Sequence, residues 1–244
     1  MNNEPLMTII IPAYNEAHRL PTTLKRVLAF VESRPETLDV IVVNNNSRDE
    51  TRQVAEAYAQ TSALLQVVDQ PVQGKGAAVR KGIFSATGTY AFICDADLAM
   101  PIEDLPRFFP ETLGTTYDIA IGSREVPGSQ RFDEPAYRHM MGRVFNFIVR
   151  TLAVPGIQDT QCGFKAFHTD AGRAIFAKQQ IDGFAFDVEV LAIARRWDYK
   201  ILEIGIPWTY GPGGSVSPLR DSWRMFREVL RIRRNVNAGL YDRE

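Results

Sequence analysis

Four short apolar runs alternate with helix-patterned stretches through the first half of the chain: MTIIIPA (7–13), LDVIVVNNN (38–46), LLQVVDQ (64–70) and TYAFICDAD (89–97). The runs are rich in Val and Ile and nearly continuous, so both faces of each strand are expected to be covered. Between the first two, Leu20, Leu24, Val27, Leu28 and Val31 recur at helical spacing over 20–33. Residues 49–61 and Lys75–Ala86 read as the next two helices. Buried strands alternating with helices predict an α/β fold, a mostly parallel central sheet with helices on both faces. Such sheets bind ligands at the carboxyl ends of their strands. Polar clusters stand at those ends here: Tyr14–Glu16, Asn44–Asn46 and Asp95–Asp97.

The second half is less regular. YDIAIGSR (117–124) and ILEIGIPWTY (201–210) read as strands, 135–153 and 219–234 as helices, and GPGGSVSP (211–218) as a loop. The 135–153 helix has a broad apolar face that includes Met140, Met141, Val144, Phe145 and Phe147. We expect one domain over 1–218 and a C-terminal basic helix and tail over 219–244. Lys+Arg is 28 and Asp+Glu is 29, a net charge of −1, which argues against a nucleic-acid partner. The start of the chain lacks a signal-peptide pattern, and no window reaches the ~18 apolar residues of a membrane span. A cytoplasmic protein, peripheral on the cytosolic face of a membrane, is the expectation. Cys94 and Cys162 form no metal or disulfide pattern.

Three segments can carry chemistry. In DAD (95–97) two carboxylates at i and i+2 after a buried strand can share a divalent cation with phosphate oxygens, as hard cations prefer. Two turn residues would look the same. GKGAAVRKG (74–82) sets glycines around Lys75 at a loop-to-helix junction, which suits a phosphate at a helix N-terminus or a plain glycine turn. Arg124, after Gly122 and Ser123 at a strand end, has the planar fork that phosphate recognition uses. Asp159, Gln161, Asp187 and Glu189 lie among aromatics and are candidate ligand contacts or members of a hydrogen-bond network.

Taken in order, IPAYNE (11–16), VVNNNSRDET (42–51), GKGAAVRKG, DADLAMP (95–101), GSR (122–124), DTQCGFK (159–165), AFDVEVL (185–191) and WTYGPGGSVSP (208–218) resemble the family 2 inverting glycosyltransferases of GT-A fold. Within them the set is most similar to the dolichyl-phosphate and polyprenyl-phosphate glycosyltransferases, the dolichyl-phosphate β-glucosyltransferase branch above all. The resemblance implies transfer of a hexose from a nucleotide diphosphate sugar, UDP-glucose first and GDP-mannose second, to a polyprenyl or dolichyl phosphate. A GT-A transferase acting on a soluble or glycan hydroxyl is the alternative. It implies that Pro12, Ala13, Tyr14 and Glu16 line the donor pocket, that Val43 and Asn45 meet the base, and that Lys75, Asp95, Ala96 and Asp97 serve the donor. Asp97 with Asp95 would hold Mg²⁺ or Mn²⁺. Arg124 and Arg138 would bind the acceptor phosphate, and Asp187 would stand near sugar and acceptor, so Asp97, Arg124 and Asp187 are the implied catalytic set. The family usually reads VVDDGS where this chain has Val-Val-Asn44-Asn45-Asn46-Ser47, an amide in place of a base-contacting carboxylate.

In the last helix Arg220, Arg224, Arg227, Arg231 and Arg234 fall on one face, with Trp223, Phe226, Val229 and Leu230 on the other. This pattern suits the surface of an anionic membrane or a helix packed on the domain.

Overall fold

The computed structural model describes residues 4–211 and 218–243; the side chains of 138, 145 and 218–222 fall outside the description. Most of the expected loop 211–218 falls outside it as well. A seven-stranded sheet is built from β1 (Met7–Ala13), β2 (Leu38–Asn44), β3 (Leu65–Asp69), β4 (Tyr90–Ile93), β5 (Ile119–Ser123), β7 (Lys165–His168) and β8 (Ile201–Gly205), in the order β3-β2-β1-β4-β7-β5-β8. All pairs are parallel except those of β7, which runs antiparallel to both β4 and β5. β6 (Gln130–Phe132) and β9 (Pro207–Thr209) form a separate parallel pair.

The helices are α1 (Leu20–Glu32), α2 (Thr51–Ala59), α3 (Lys75–Ser85), α4 (Pro110–Leu113), α5 (Ala136–Leu152), α6 (Thr169–Ala177), α7 (Phe186–Arg196) and α8 (Pro218–Asn237), with a 3₁₀ helix over Ile102–Phe108. Strand alternation sorts the core into two layers. Ile9, Ile11, Val40 and Val42 pack with Leu24 and Val27 of α1 and with Phe108. Ile10, Ile41 and Val43 face the other way, onto Ala78, Val79 and Ile83 of α3. α7 and α8 extend this second layer through Leu191, Val229 and Ile232. Each fully buried side chain of this size is worth about 1.5–3 kcal/mol over its exposed state. Gly82 lets α3 lie directly on β1, because Ile10 Cγ2 occupies the space a Cβ would need.

The order of the sheet fixes where a ligand can bind. The chain runs from β1 outward to β2 and β3, then returns to place β4 on the other side of β1. The crevice at the carboxyl ends of β1 and β4 is therefore the topological switch point.

Two sequence expectations shift. The fourth strand stops at Ile93, and the DAD residues form a turn in which Leu98 adopts φ +49° and donates its N–H to the Asp95 carbonyl at 3.1 Å. The single strand expected over 201–210 divides at Ile206 into β8 and β9, one in each sheet. Gly205 marks the divide, where the backbone of 127–129 leaves no room for a side chain.

Candidate active site

The turn after β1 is held against the segment after β2. Asn15, at φ +53°, accepts the Arg48 N–H at 2.8 Å and donates its own N–H to Ser47 Oγ at 3.1 Å. Glu16 and Ala17 donate their N–H groups to Thr51 and Asp49. The Tyr14 ring is left exposed at the crevice, and the Glu16 carboxylate meets Arg19 at 3.0 Å. Burial raises the pKa of Glu16; Arg19 opposes this, while Asp97, Asp49 and Asp95 add to it.

Asn45 is buried and fully engaged. Its Nδ2 donates to the carbonyls of Gln70 and Val72, and its Oδ1 accepts the Gly74 N–H at 2.8 Å. An amide suits this because one side chain must both donate and accept. The side chain expected at the base thus holds the loop that leads to Lys75. Val43 is likewise buried in the core. Asn44, itself buried, donates to Asp69 Oδ1 at 2.8 Å, so of this pair only Asp69 reaches the surface at these strand ends.

The acidic edge follows β4. Lys75, at the start of α3, places Nζ 2.7 Å from Asp95 Oδ1. Burial disfavours the Lys75 charge, but Asp95 and then Asp187 outweigh it and hold its pKa above the usual lysine value. Asp95 Oδ2 rests against the bare Cα of Gly163. Ala96 is buried, its carbonyl accepting the Thr23 hydroxyl at 2.6 Å. Asp97 accepts the Ala99 N–H at 3.1 Å. Loss of hydration, then the charge of Asp95, pushes the Asp97 carboxyl upward.

Asp95 and Asp97 suit a hard divalent cation. Their crowded charge, with Glu16 nearby, is what such an ion relieves. No cluster of three or more His, Cys, Asp or Glu able to hold a metal occurs among the described residues, so the other oxygens would come from a diphosphate and water.

The opposite wall is built on arginine. Arg124 Nε and Nη2 grip Asp159 at 2.7 and 2.9 Å, and the Arg124 N–H adds a third bond at 3.0 Å. Glu203 of β8 accepts the N–H groups of Gln158 and Asp159, fixing that turn. Burial favours a neutral Asp159, but the Arg124 charge and hydrogen bonds prevail and hold its pKa down at about 2. Arg131 of β6 binds Glu125 and Glu134. Both guanidinium groups lie over the Trp208 ring, at 5.2 and 5.9 Å from its centre. These arginines, Lys75, Asp159 and Asp187 line one pocket, which α5 borders through His139, Gly142 and Asn146. Arg138 is also on α5, with its side chain outside the described residues.

Asp187, in the first turn of α7, is paired with the fully buried Lys165 at 2.5 Å. Sequence reading passed over Lys165 and Arg131. A charge inside the apolar run GFKAF was the available signal for the first; Arg131 acquires its place only through pairing of β6 with β9. Glu189, a candidate ligand contact, is instead structural. It accepts the N–H groups of Gln180 and Ile181 and the hydroxyl of the fully buried Tyr241, the last at 2.6 Å. The adjoining Asp182 carbonyl accepts the Ala77 N–H and lies against Gly74. Cys162 is a buried thiol pushed up to about 12 by burial, as a small core residue would be.

The sequence profile of glycosyl transferase family 2 matches residues 8–176, which include the β1 turn, the Lys75 loop, the acidic edge and the Arg124–Asp159 wall. This chain belongs to glycosyl transferase family 2. Its relatives include the human dolichyl-phosphate beta-glucosyltransferase, 33% identical with 96% of this chain and 77% of that protein covered. The same enzyme of Drosophila melanogaster is 34% identical, covering 93% of this chain and 74% of the relative. Among solved structures this family 2 glycosyltransferase is similar in fold to glucosyl-3-phosphoglycerate synthase of Mycobacterium tuberculosis in complex with UDP, with a TM-score of 0.69 at 16% identity over 96% of this chain and 80% of that one. Another crystal structure of that enzyme contains Mn²⁺, UDP-glucose and phosphoglyceric acid. The GT-A architecture expected from the sequence motifs is thus the architecture of the chain.

Proposed function

We propose that this glycosyltransferase moves glucose from UDP-glucose to a polyprenyl or dolichyl phosphate, inverting the anomeric carbon. The observation that carries the proposal is the join between two surfaces. The arginine-walled pocket is bordered by α5, and the same helix turns Tyr137, Met140, Met141, Val144 and Phe147 outward, Phe147 with 68% of its surface exposed. An acceptor with a phosphate head and a long hydrocarbon matches a cationic pocket beside an apolar ledge. The names of the relatives supply the sugar and the acceptor, and the neighbouring crystal structure supplies UDP-glucose with Mn²⁺.

Asp95 and Asp97 would hold Mg²⁺ or Mn²⁺, whose charge stabilises the departing diphosphate. Tyr14 and Glu16 border the donor, with Pro12, Ala13 and Ala96 shaping the crevice behind them. Lys75 presents its ammonium at the N-terminus of α3, where negative phosphate charge is favoured. A phosphate oxygen of the acceptor forms the new bond to C1 of glucose as the bond from C1 to the diphosphate breaks, and the electron pair leaves with UDP. That oxygen is already ionised, so no proton must be removed. Arg124 and Arg138 orient the acceptor phosphate, and Asp187 fixes the ground between sugar and acceptor. The engagement of Asp159 by Arg124 counts against Asp159 as a base for a hydroxyl acceptor.

The ledge also suits peripheral contact with a membrane. Arg224, Arg227, Arg231 and Arg234 are exposed on α8, beside the exposed Trp223 and Leu230, while Val229 and Ile232 dock the helix on the domain. No described helix is long and apolar enough to cross a bilayer. In this reading 1–218 is the catalytic domain and 219–244 its basic helix and tail.

The test is a donor panel of UDP-glucose, GDP-mannose and UDP-N-acetylglucosamine against dolichyl phosphate, with Mg²⁺ and with Mn²⁺. Metal-dependent formation of β-linked glucosyl phospholipid is expected. An α-linked product, or transfer only to water-soluble hydroxyl acceptors, would falsify the proposal.

A further inference from the structure

Lys165 lies at the centre of the sheet. In register it stands beside Ile93 of β4 and beside Ile121 of β5. Two residues beyond Ile93 comes Asp95; three beyond Ile121 comes Arg124. One lysine therefore sits in the row behind both the acidic edge and the arginine wall. It is fully buried and lines no part of the pocket.

Its three N–H donors must find partners, because a buried unpaired ammonium is heavily penalised. Nζ donates to Asp187 Oδ1 at 2.5 Å and to the carbonyl of Cys162. The first bond pins the carboxylate from behind, in the first turn of α7, where the helix N-terminus also favours negative charge. The second ties the same ammonium to the turn that begins at Asp159. A buried ion pair can usually be replaced by packed apolar groups without loss of stability, so stability alone is a poor reason for this one.

We propose that Lys165 is a positioning residue for the transfer reaction: from inside the sheet it pins the Asp187 carboxylate in place, aimed into the pocket. This rests on the reading of that pocket as the transfer site. Among the described residues, Lys165 from β7, Lys75 from α3 and Asp95 from the turn after β4 act on the Asp187 charge, and Arg124, Arg131, Glu125, Glu134 and Asp159 line the same pocket. Burial pushes the Asp187 carboxyl upward; Lys165 and then Lys75 oppose this, and Asp95 adds a smaller push upward. With Lys165 gone, Asp187 loses its hydrogen-bonded cation, and Lys75 is already paired with Asp95.

The experiment compares the full chain with Lys165→Met, Asp187→Asn and the double variant, by chemical denaturation and by kinetics with UDP-glucose and dolichyl phosphate. Lys165→Met is expected to be the least stable of the four, and Asp187→Asn in addition to recover a large part of the loss. In kinetics Lys165→Met falls at least tenfold in kcat, to the level of Asp187→Asn, with the donor KM within about threefold of wild type. The acid limb of its kcat profile moves to higher pH than in the wild type, whereas Asp187→Asn and the double variant share one profile. The double variant is no slower than Asp187→Asn. Wild-type kcat and pH profile in Lys165→Met would overturn the proposal. So would a double variant tenfold slower than Asp187→Asn, or one with no recovery of stability. A wild type that binds UDP-glucose and transfers nothing sinks the function reading instead, and denaturation still decides whether Lys165 serves Asp187: recovery in the double variant upholds the pairing, and its absence overturns it.

Discussion

Asp95 can occupy its place only because residue 163 is glycine: the carboxylate Oδ2 fills the space of the missing Cβ. The acid is held from the other side by Lys75 at 2.7 Å, so its position is set by one ammonium and one absent methyl. Gly163→Ala should expel the carboxylate and break this pair. We expect metal-dependent UDP-glucose binding to weaken tenfold or more in calorimetric titration, with the far-ultraviolet dichroism unchanged. Wild-type affinity in Gly163→Ala would show that Asp95 has no part in holding donor or metal.

Asp97→Ala should remove metal-dependent donor binding and leave the fold nearly as stable. Among the described residues the carboxylate accepts a hydrogen bond only from the Ala99 N–H, and it is crowded by Asp95, so its loss relieves repulsion. Titration with Mn²⁺ and UDP-glucose, beside a thermal melt, checks both halves. Turnover at the wild-type rate with saturating Mn²⁺ is the result that removes Asp97 from the site.

Arg124→Ala should do more than weaken phosphate binding, which is all that its position at a strand end suggests. It strands Asp159, which is 2% exposed, and orphaning a buried charge typically costs about 3–5 kcal/mol. Arg124→Ala with Asp159→Asn should regain much of the stability and none of the transfer. The pH dependence follows from the same pair. Asp159 has a folded pKa of about 2, below its unfolded value, so it contributes stability above about pH 4 that is lost as the pH falls through about 2. With Arg124 gone, burial favours neutral Asp159, so the stability gap between wild type and the Arg124 variant should be widest at neutral pH and narrow as the pH falls from about 4 toward about 2, read by chemical denaturation followed by tryptophan fluorescence.

Tyr241→Phe removes the hydroxyl that donates to Glu189 at 2.6 Å and accepts from Asn235 at 3.0 Å, both inside the protein. The unmet buried groups should cost about 1–3 kcal/mol. Each kcal/mol lowers the Tm of a domain this size by about 2–4 °C, which calorimetry resolves.

Membrane contact should depend on α5 as well as on the arginines of α8. The chain is expected to co-sediment with anionic liposomes at low salt and to release at high salt. Arg224→Glu with Arg227→Glu and Arg231→Glu should weaken this, since each cation near such a surface adds about 1 kcal/mol. Met140→Asp with Phe147→Asp should weaken it in neutral liposomes too, because the apolar ledge needs no lipid charge. Indifference of the wild type to both liposomes would confine the ledge to the acceptor chain or to another protein.

The sheet was legible because Val and Ile runs with helices between them leave few other folds, and its polar strand ends marked the crevice. Tyr14, Glu16, Asp95 and Asp97 could be named as candidates for that reason, since each stands within four residues of the end of β1 or β4, and Lys75 opens α3 behind its glycines. Lys165 was not. Its strand is four residues long, antiparallel, and inserted between strands far away in sequence, so no local pattern gives it a neighbour. Asn45 had the reverse difficulty: its place at a strand end was readable, but its three partners in the 70–74 segment come from the fold. For Arg124 and Asp159, 35 residues apart, sequence offered two candidate ligands where the structure has one coupled unit.

Tyr241 closes a mechanical linkage that runs through the molecule. Its hydroxyl holds Glu189, Glu189 holds the backbone at Gln180 and Ile181, and the Asp182 carbonyl beside them braces the glycines around Lys75. A pull on the backbone at Tyr241 would be felt at the loop that leads to Lys75. Tyr241 is thus a handle on the pocket, and a force applied to the backbone beside it is a perturbation of the enzyme rather than a local event.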